Sequence, residues 1–272
     1  MDVAAYDPDM PDNTDLWRSI LTGENPRFRR GRRLRKLIPA AERCKNCHAP
    51  FSGIGGLAMR VTGRGRYDRN PRFCQYCLEV CSNHPGGAEL ELSFLFVDVR
   101  GSTTLSGSMS AVAFSKLMNR FYAAATDVLV RSDAFIDKFV GDEVIGVFFP
   151  AFSGSHPARE AVLAARGMLH ATGHGTAAGP WLPIGVGVHT GVAYFGTVAG
   201  IDDSVSDVTA LGESVNVASR IVASAAAGEA LISDVAYERA GVDLGDFERR
   251  ELDVRGRGEP ITVHVVRASE LP

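Results

Sequence analysis

The sequence predicts an α+β fold. Its larger part is an antiparallel-rich sheet with helices and a ferredoxin-like core, and a small cysteine-rich module precedes it. Three observations carry this. From residue 89 onward, strand-like and helix-like segments alternate regularly. All five cysteines fall between residues 44 and 81. Residues 1–90 hold 15 basic and 10 acidic residues, against 14 and 22 beyond, so the two parts differ in character. With 45% apolar and 22% charged residues, the composition is that of an ordinary globular chain. No apolar run approaches the roughly 18–20 residues that a membrane helix needs. The opening MDVAAYDPDMPDNTD is acidic and contains Pro, unlike a secretory signal. A cytoplasmic location is expected.

Three regions follow from composition: a disordered and basic segment (1–40), a cysteine-rich module (41–86) and the alternating region (87–272). Residues 1–13 are rich in Asp and Pro and carry no period. Residues 14–22 can start a short helix, with Thr14 as its cap. RFRRGRRLRK (27–36) has seven basic residues in ten. A solvated linker or helix face accounts for it, and contact with nucleic acid or anionic lipid is the functional alternative.

In the alternating region, AELELSFLFVDV (88–99) reads as a strand and 111–130 as a helix with regular apolar spacing. FIDKFVGDEVIGVF (135–148) reads as two strands around a tight turn at Gly141-Asp142. A helix over 157–171 follows. LPIGVGVHTGVAYFGTV (182–198) reads as two strands joined near Thr190-Gly191. Then come a helix (212–226), a short strand (230–234) and a closing hairpin (251–266) that turns near Gly256–Pro260. This order implies helices on one face of a sheet.

The cysteines form two knuckles, Cys44-Lys-Asn-Cys47 and Cys74-Gln-Tyr-Cys77, with 26 residues between them. Two such knuckles close a tetrahedral Zn²⁺ site and make the module zinc-ribbon-like. A structural ion would supply folding energy that a small Gly-rich segment lacks. Redox thiols and a rubredoxin-like iron site use the same residues, and Cys81, His48 and His84 are spare ligands.

Charged residues interrupt the strands. Asp98 ends SFLFVDV and precedes Gly101-Ser102-Thr103 and a helix. Amides at a helix start attract anions, and a carboxylate beside them suits a hard cation such as Mg²⁺. A plain capping Asp is the alternative. Asp142 sits at the hairpin turn, with Glu143 as its solvent-facing neighbour. Lys138 is four residues earlier, an even separation that keeps strand residues on one face. Asn216 and Arg220 are i and i+4 on a helix, and an Arg there suits phosphate oxygens or simply lies on the surface.

Together LFVDVRGST, KFVGDEVIGVF, IGVGVHTG, DVTALGESVNVASR and VRGRGEP resemble the class III nucleotidyl cyclases, the adenylate/guanylate cyclase catalytic domain, over about 89–267. The resemblance implies that Asp98 and Asp142 bind two Mg²⁺ or Mn²⁺ ions. It implies that Lys138 and Thr209 read the purine, with Thr209 standing where many members have Asp. A lysine/threonine pair there is typical of ATP users, and the Thr is familiar from a bicarbonate-responsive subgroup. Asn216 would orient the ribose and Arg220 would stabilise the transferring phosphoryl group. Arg255 would stand in for a lysine on the terminal phosphates, with Gly101, Ser102 and Thr103 at the phosphate turn. The family's sites lie between two catalytic domains, so the resemblance implies a homodimer with two shared sites that turns ATP into cyclic AMP and pyrophosphate. GTP, pyrimidine nucleotides, a diguanylate cyclase and a zinc-ribbon nucleic-acid binder with an inactive cyclase-like domain are the competing readings.

Overall fold

Strand parity organises the larger part of the chain. The computed structural model describes residues 13–68, 70–199, 206–243, 245, 247–253 and 259–268. The chain divides into two compact units, residues 1–90 with 194–210, and residues 91–193 with 211–272.

The first unit begins with α1 (Thr14–Leu21) and α2 (Pro26–Arg35). Asn13, not Thr14, precedes α1, and the expected unstructured stretch before it lies outside the described residues. Trp17 is buried, and its indole N–H donates to the His84 carbonyl at 2.9 Å. The basic run is helical because Asn25 accepts from the Arg27 amide at 3.1 Å and Pro26 opens the first turn. Next come α3 (Gly53–Val61), the short hairpin β1 (Arg66–Tyr67) and β2 (Asn70–Cys74), and α4 (Gln75–Ser82).

Fourteen further elements follow among the described residues, from β3 (Gly87–Val99), α5 (Ser102–Ser108) and α6 (Ala111–Arg131) to the hairpin β4 (Phe135–Val140) and β5 (Glu143–Phe148). After α7 (Pro150–Ser153) and α8 (Pro157–Ala171) come β6 (Ile184–Ala199), β7 (Ser206–Leu211) and α9 (Glu213–Ser224). β8 (Glu229–Ser233), α10 (Asp234–Ala240), β9 (Glu248–Leu252) and β10 (Ile261–Arg267) close it. The sheet order is β4-β5-β3-β6-β8-β10-β9, with β7 beside β6. The expected turn at Thr190-Gly191 does not form; 184–199 is one long strand, and its hairpin partner is β7. A thirteen-residue β3 alongside it gives that length a partner. The turn of the closing hairpin lies outside the described residues, but its strands pair antiparallel from Ile261↔Leu252 to Val265↔Glu248.

In the second unit the helices occupy both faces, not one. Leu95, Val97, Val144, Ile184, Val186, Val188 and Ile232 share a core with α6, α8 and α10. The alternate residues Leu231, Val263 and Val265 pack instead on Val217 and Ile221 of α9. Between Ile184, Val186 and Val188, the sequence places Gly185 and Gly187 on the α9 face. A Cβ on Gly187 would meet the Val222 amide nitrogen at 2.6 Å, so only glycine lets α9 lie this close.

Glu229, on β8, is nearly buried and receives Arg250 at 3.1 Å and Arg267 at 3.2 Å. Its carboxyl is held below the ordinary glutamate range, first by the Arg250 hydrogen bond. A depressed folded-state pKa adds stability above the ordinary glutamate pKa and loses it as pH falls through the folded value. Glu229→Gln is therefore expected to lower the melting temperature at neutral pH, with the gap to wild type closing in acid; thermal scans across pH check this.

Candidate functional site

The acidic corner of the second unit is built by three backbone features. β3 and β5 pair antiparallel with Asp98 opposite Glu143. The Val99 amide donates to the Asp142 carbonyl at 3.2 Å, which fixes the hairpin turn beside the end of β3. The turn itself is a two-residue loop, Gly141-Asp142, between Val140 and its partner Glu143. Gly141 has φ +61°, the left-handed conformation that tight hairpins favour at glycine. Asp98 and Asp142 thus end adjoining strands, as expected. Beyond β3, Gly101 precedes α5, and Ser102 and Thr103 form its first turn. Ser102, Ser115, Asn119, Tyr122, Gly141 and Asp142 line an open cleft of about 460 Å³.

Glu143 is half-buried and not solvent-facing, because it pairs inside the sheet against Asp98. Burial pushes its carboxyl up from the ordinary range, and the Asp142 charge adds to this while Arg100 opposes it. Such an acid-rich corner favours a cation. Arg100 supplies one locally: it forms an ion pair with Asp98 and donates to the carbonyls of Ala223 at 3.4 Å and Ala225 at 3.3 Å, at the end of α9. Burial lowers the Arg100 pKa, with Asp142 and Glu143 acting against that. Tyr122 on α6 donates its hydroxyl to the Gly141 carbonyl, and its ring lies 5.0 Å from that of Phe139. Sequence reasoning passed over both Arg100 and Tyr122. The signal for Arg100 was its place two residues after Asp98, on the same strand-end face; Tyr122 carried none.

Lys138 does not share a strand with Asp142, so the parity argument fails across the turn. Its register partner is Ile145, which puts it on the face of Glu143 and Asp98 instead. The register shifts between Ile136 and Lys138, and the extra residue is Asp137. Asp137 is almost fully buried and lies 3.6 Å from the Lys138 ammonium, a partner that the sequence reading missed.

Asn216 and Arg220 both lie on the exposed side of α9, opposite buried Val217 and Ile221. Thr209 is buried on β7 and belongs to the first unit. Arg255 lies outside the described residues.

The cysteine cluster is also assembled. Cys44, Cys47, Cys74 and Cys77 are free, fully buried thiols whose sulfurs all lie within 4.8 Å of one another. Cys44–Cys77 is 3.9 Å and Cys47–Cys74 is 3.5 Å. Tetrahedral zinc with Zn–S of about 2.3 Å has sulfur–sulfur edges of about 3.8 Å, so the four thiols fit that ion. Hydrogen bonds from Cys44 and the other thiols push Cys47 far down, while burial pushes Cys44 up and hydrogen bonds with the other thiols push Cys77 up. Cys81 stands outside the cluster, and burial pushes its thiol up to about 12. The first knuckle is braced by the basic helix. Arg32 donates to the Lys45 carbonyl at 2.7 Å and Arg35 to the Cys47 carbonyl at 2.8 Å. Two cations of the basic run therefore have a structural task, which a purely solvated helix face would not give them.

Residues 88–267 match the family model described as the adenylate and guanylate cyclase catalytic domain. An adenylate cyclase of Anabaena cylindrica is 27% identical over 189 residues, covering 65% of this chain and 37% of the relative. An uncharacterized protein of Mycobacterium tuberculosis is 30% identical over 217 residues, covering 76% of this chain and 38% of the relative. The chain thus spans under two-fifths of the length of these curated relatives. Among solved structures, the guanylyl cyclase Cya2 aligns with a TM-score of 0.60 at 25% identity, over 66% of this chain and 93% of that one. The adenylyl cyclase CyaB from P. aeruginosa aligns with a TM-score of 0.56 at 28% identity, over 66% and 96%.

One tetrahedral ion per chain is expected on the four thiols. Elemental analysis would find zinc, and cobalt substitution would give a thiolate charge-transfer band. Cys74→Ser is expected to lose both and to melt earlier.

Proposed function

Because the chain belongs to the adenylate and guanylate cyclase catalytic domain family, we propose that it closes the ribose 3′-hydroxyl of ATP onto the α-phosphorus, releasing 3′,5′-cyclic AMP and pyrophosphate. The observation that carries this reading is the acid pair Asp98 and Asp142 on adjoining strand ends, beside the Gly101-Ser102-Thr103 turn. Burial, with the Asp142 charge adding to it, pushes the Glu143 carboxyl up there.

Asp98 and Asp142 are the residues that would hold two Mg²⁺ or Mn²⁺ ions. Bound there, the ions would lower the pKa of the attacking hydroxyl and neutralise charge on the triphosphate. The amides of Ser102 and Thr103 face the phosphates. Arg220 meets charge as it develops on the transferring phosphoryl group, and Asn216 orients the ribose. Lys138 and Thr209 read the base, with Asp137 holding the Lys138 ammonium in place. Arg255 completes the set on the terminal phosphates.

In this reading the metal aspartates serve one site and Lys138, Thr209, Asn216 and Arg220 serve the other, across a two-fold homodimer. The exposure of Asn216 and Arg220 on α9 supports it. A GTP reading keeps the same chemistry and has its own support: guanylyl as well as adenylyl cyclases align with this chain.

Incubation with ATP, GTP, CTP and UTP in turn, with Mg²⁺ or Mn²⁺ and mass-spectrometric product identification, tests activity and base together. ATP is expected to give the 3′,5′-cyclic product, and Arg220→Ala to lower kcat on the order of 10²–10³-fold. Asp98→Ala and Arg220→Ala chains, each with under about a hundredth of wild-type activity, should regain roughly a quarter of it on mixing, because half the dimers then carry one whole site. Absence of recovery where heterodimers demonstrably form would refute the shared site.

A further inference from the structure

The first unit leaves large aliphatic side chains open to solvent on one short stretch. On α3, Ile54, Leu57 and Val61 stand at i, i+3 and i+7, a single helix face, and are 90%, 65% and 84% exposed. Near the end of α2, Leu34 and Leu37 are 71% and 81% exposed. The two helices are joined at close range. A Cβ on Gly55 would meet the Ile38 side chain at 2.5 Å, so the α3 backbone lies against the chain that leaves α2. Arg43 donates to the carbonyls of Arg35 and Ile38 and ties that exit to the first knuckle.

The same two helices carry exposed cations. Arg27, Arg29, Arg30, Arg33 and Lys36 of the basic run are exposed, and so is Arg60 on α3. Neither helix contains an acidic residue. Arg32 and Arg35 are the members of the run that brace the knuckle, which leaves the others directed at solvent.

We propose that this face docks on an anionic membrane surface. The aliphatic stripe enters the headgroup boundary, and the arginines meet lipid phosphates and carboxylates. Basic residues in this number beside an apolar helix face match that surface in both charge and hydropathy. A nucleic acid would engage the arginines but leave Ile54, Leu57 and Val61 in water. A second copy packed about a two-fold axis would set the cations of α2 against their own images. No described helix is long and apolar enough to cross a membrane, so the contact is peripheral. The patch lies within the first unit and does not depend on the cyclase reading.

The test is co-sedimentation of the full chain with phosphatidylcholine vesicles, with and without phosphatidylserine. Pelleting is expected with the anionic vesicles only, weakening as salt is raised. Arg29→Gln with Arg33→Gln should lower partitioning about fivefold per cation removed. Ile54→Asp with Leu57→Asp should abolish it while the metal content of the cysteine cluster stays unchanged, which separates lost docking from lost folding. Equal pelleting with neutral vesicles, or none with anionic ones, overturns the proposal. So does binding of a polynucleotide that Ile54→Asp leaves intact, or a concentration-dependent dimer in sedimentation velocity that Ile54→Asp dissolves.

Discussion

Successive residues of a strand point to opposite faces, and the central strands of the second unit use that constraint for two ends at once. On one face Leu95, Val97, Val144, Val186 and Val188 meet α6, α8 and α10. On the other, Asp98 and Glu143 emerge opposite each other, and Gly185 and Gly187 leave room for α9. A slip of one residue in β3 or β5 would send its carboxylate into the apolar layer and its buried valines out of it. The burial of the valines therefore also fixes where the acids stand. Burying an ionised carboxylate among these side chains would cost several kcal/mol, so register and site are specified by the same term.

Most elements were legible in the sequence because their signals are local. The Gly141-Asp142 turn, the apolar run of β3 and the periodic helices α6, α8 and α9 each carry their own signature. What misled was context. Thr190-Gly191 resembles a turn, yet β6 runs through it because a strand of equal reach lies beside it. Gly185 and Gly187 resemble weak points in a strand, yet they set the approach of a helix on the second face. The acid pair was readable as a motif. Asp137 and Tyr122 were not, since the partner of Tyr122 is distant in sequence and the place of Asp137 depends on a register shift that composition does not reveal.

The basic run shows the same limit. Its composition suggests solvent or a polyanion, but geometry divides it. Arg32 and Arg35 satisfy carbonyls of the first knuckle, and the cations on the other sides stay free of that task. Guanidinium groups suit this because each offers several donors in a fixed plane at the end of a long apolar stem. The helix is thereby oriented by the cysteine knuckle it braces, which decides which of its arginines face outward.

The two knuckles also close a loop. Cys47 and Cys74 enclose 26 residues, among them all of α3. Bringing the ends of such a loop together costs about 3 kcal/mol of chain entropy plus a constant, a cost that buried thiols sharing an ion can meet. Without that closure α3 becomes part of a slack segment, and a nine-residue helix is marginal on its own in water. Whatever strips or oxidises the four sulfurs therefore reaches beyond them: it releases the tether that gives Ile54, Leu57 and Val61 a common side. With an ion bound, the cluster would act on that surface as a clasp, and ion affinity and thiol redox state would set how long it stays shut.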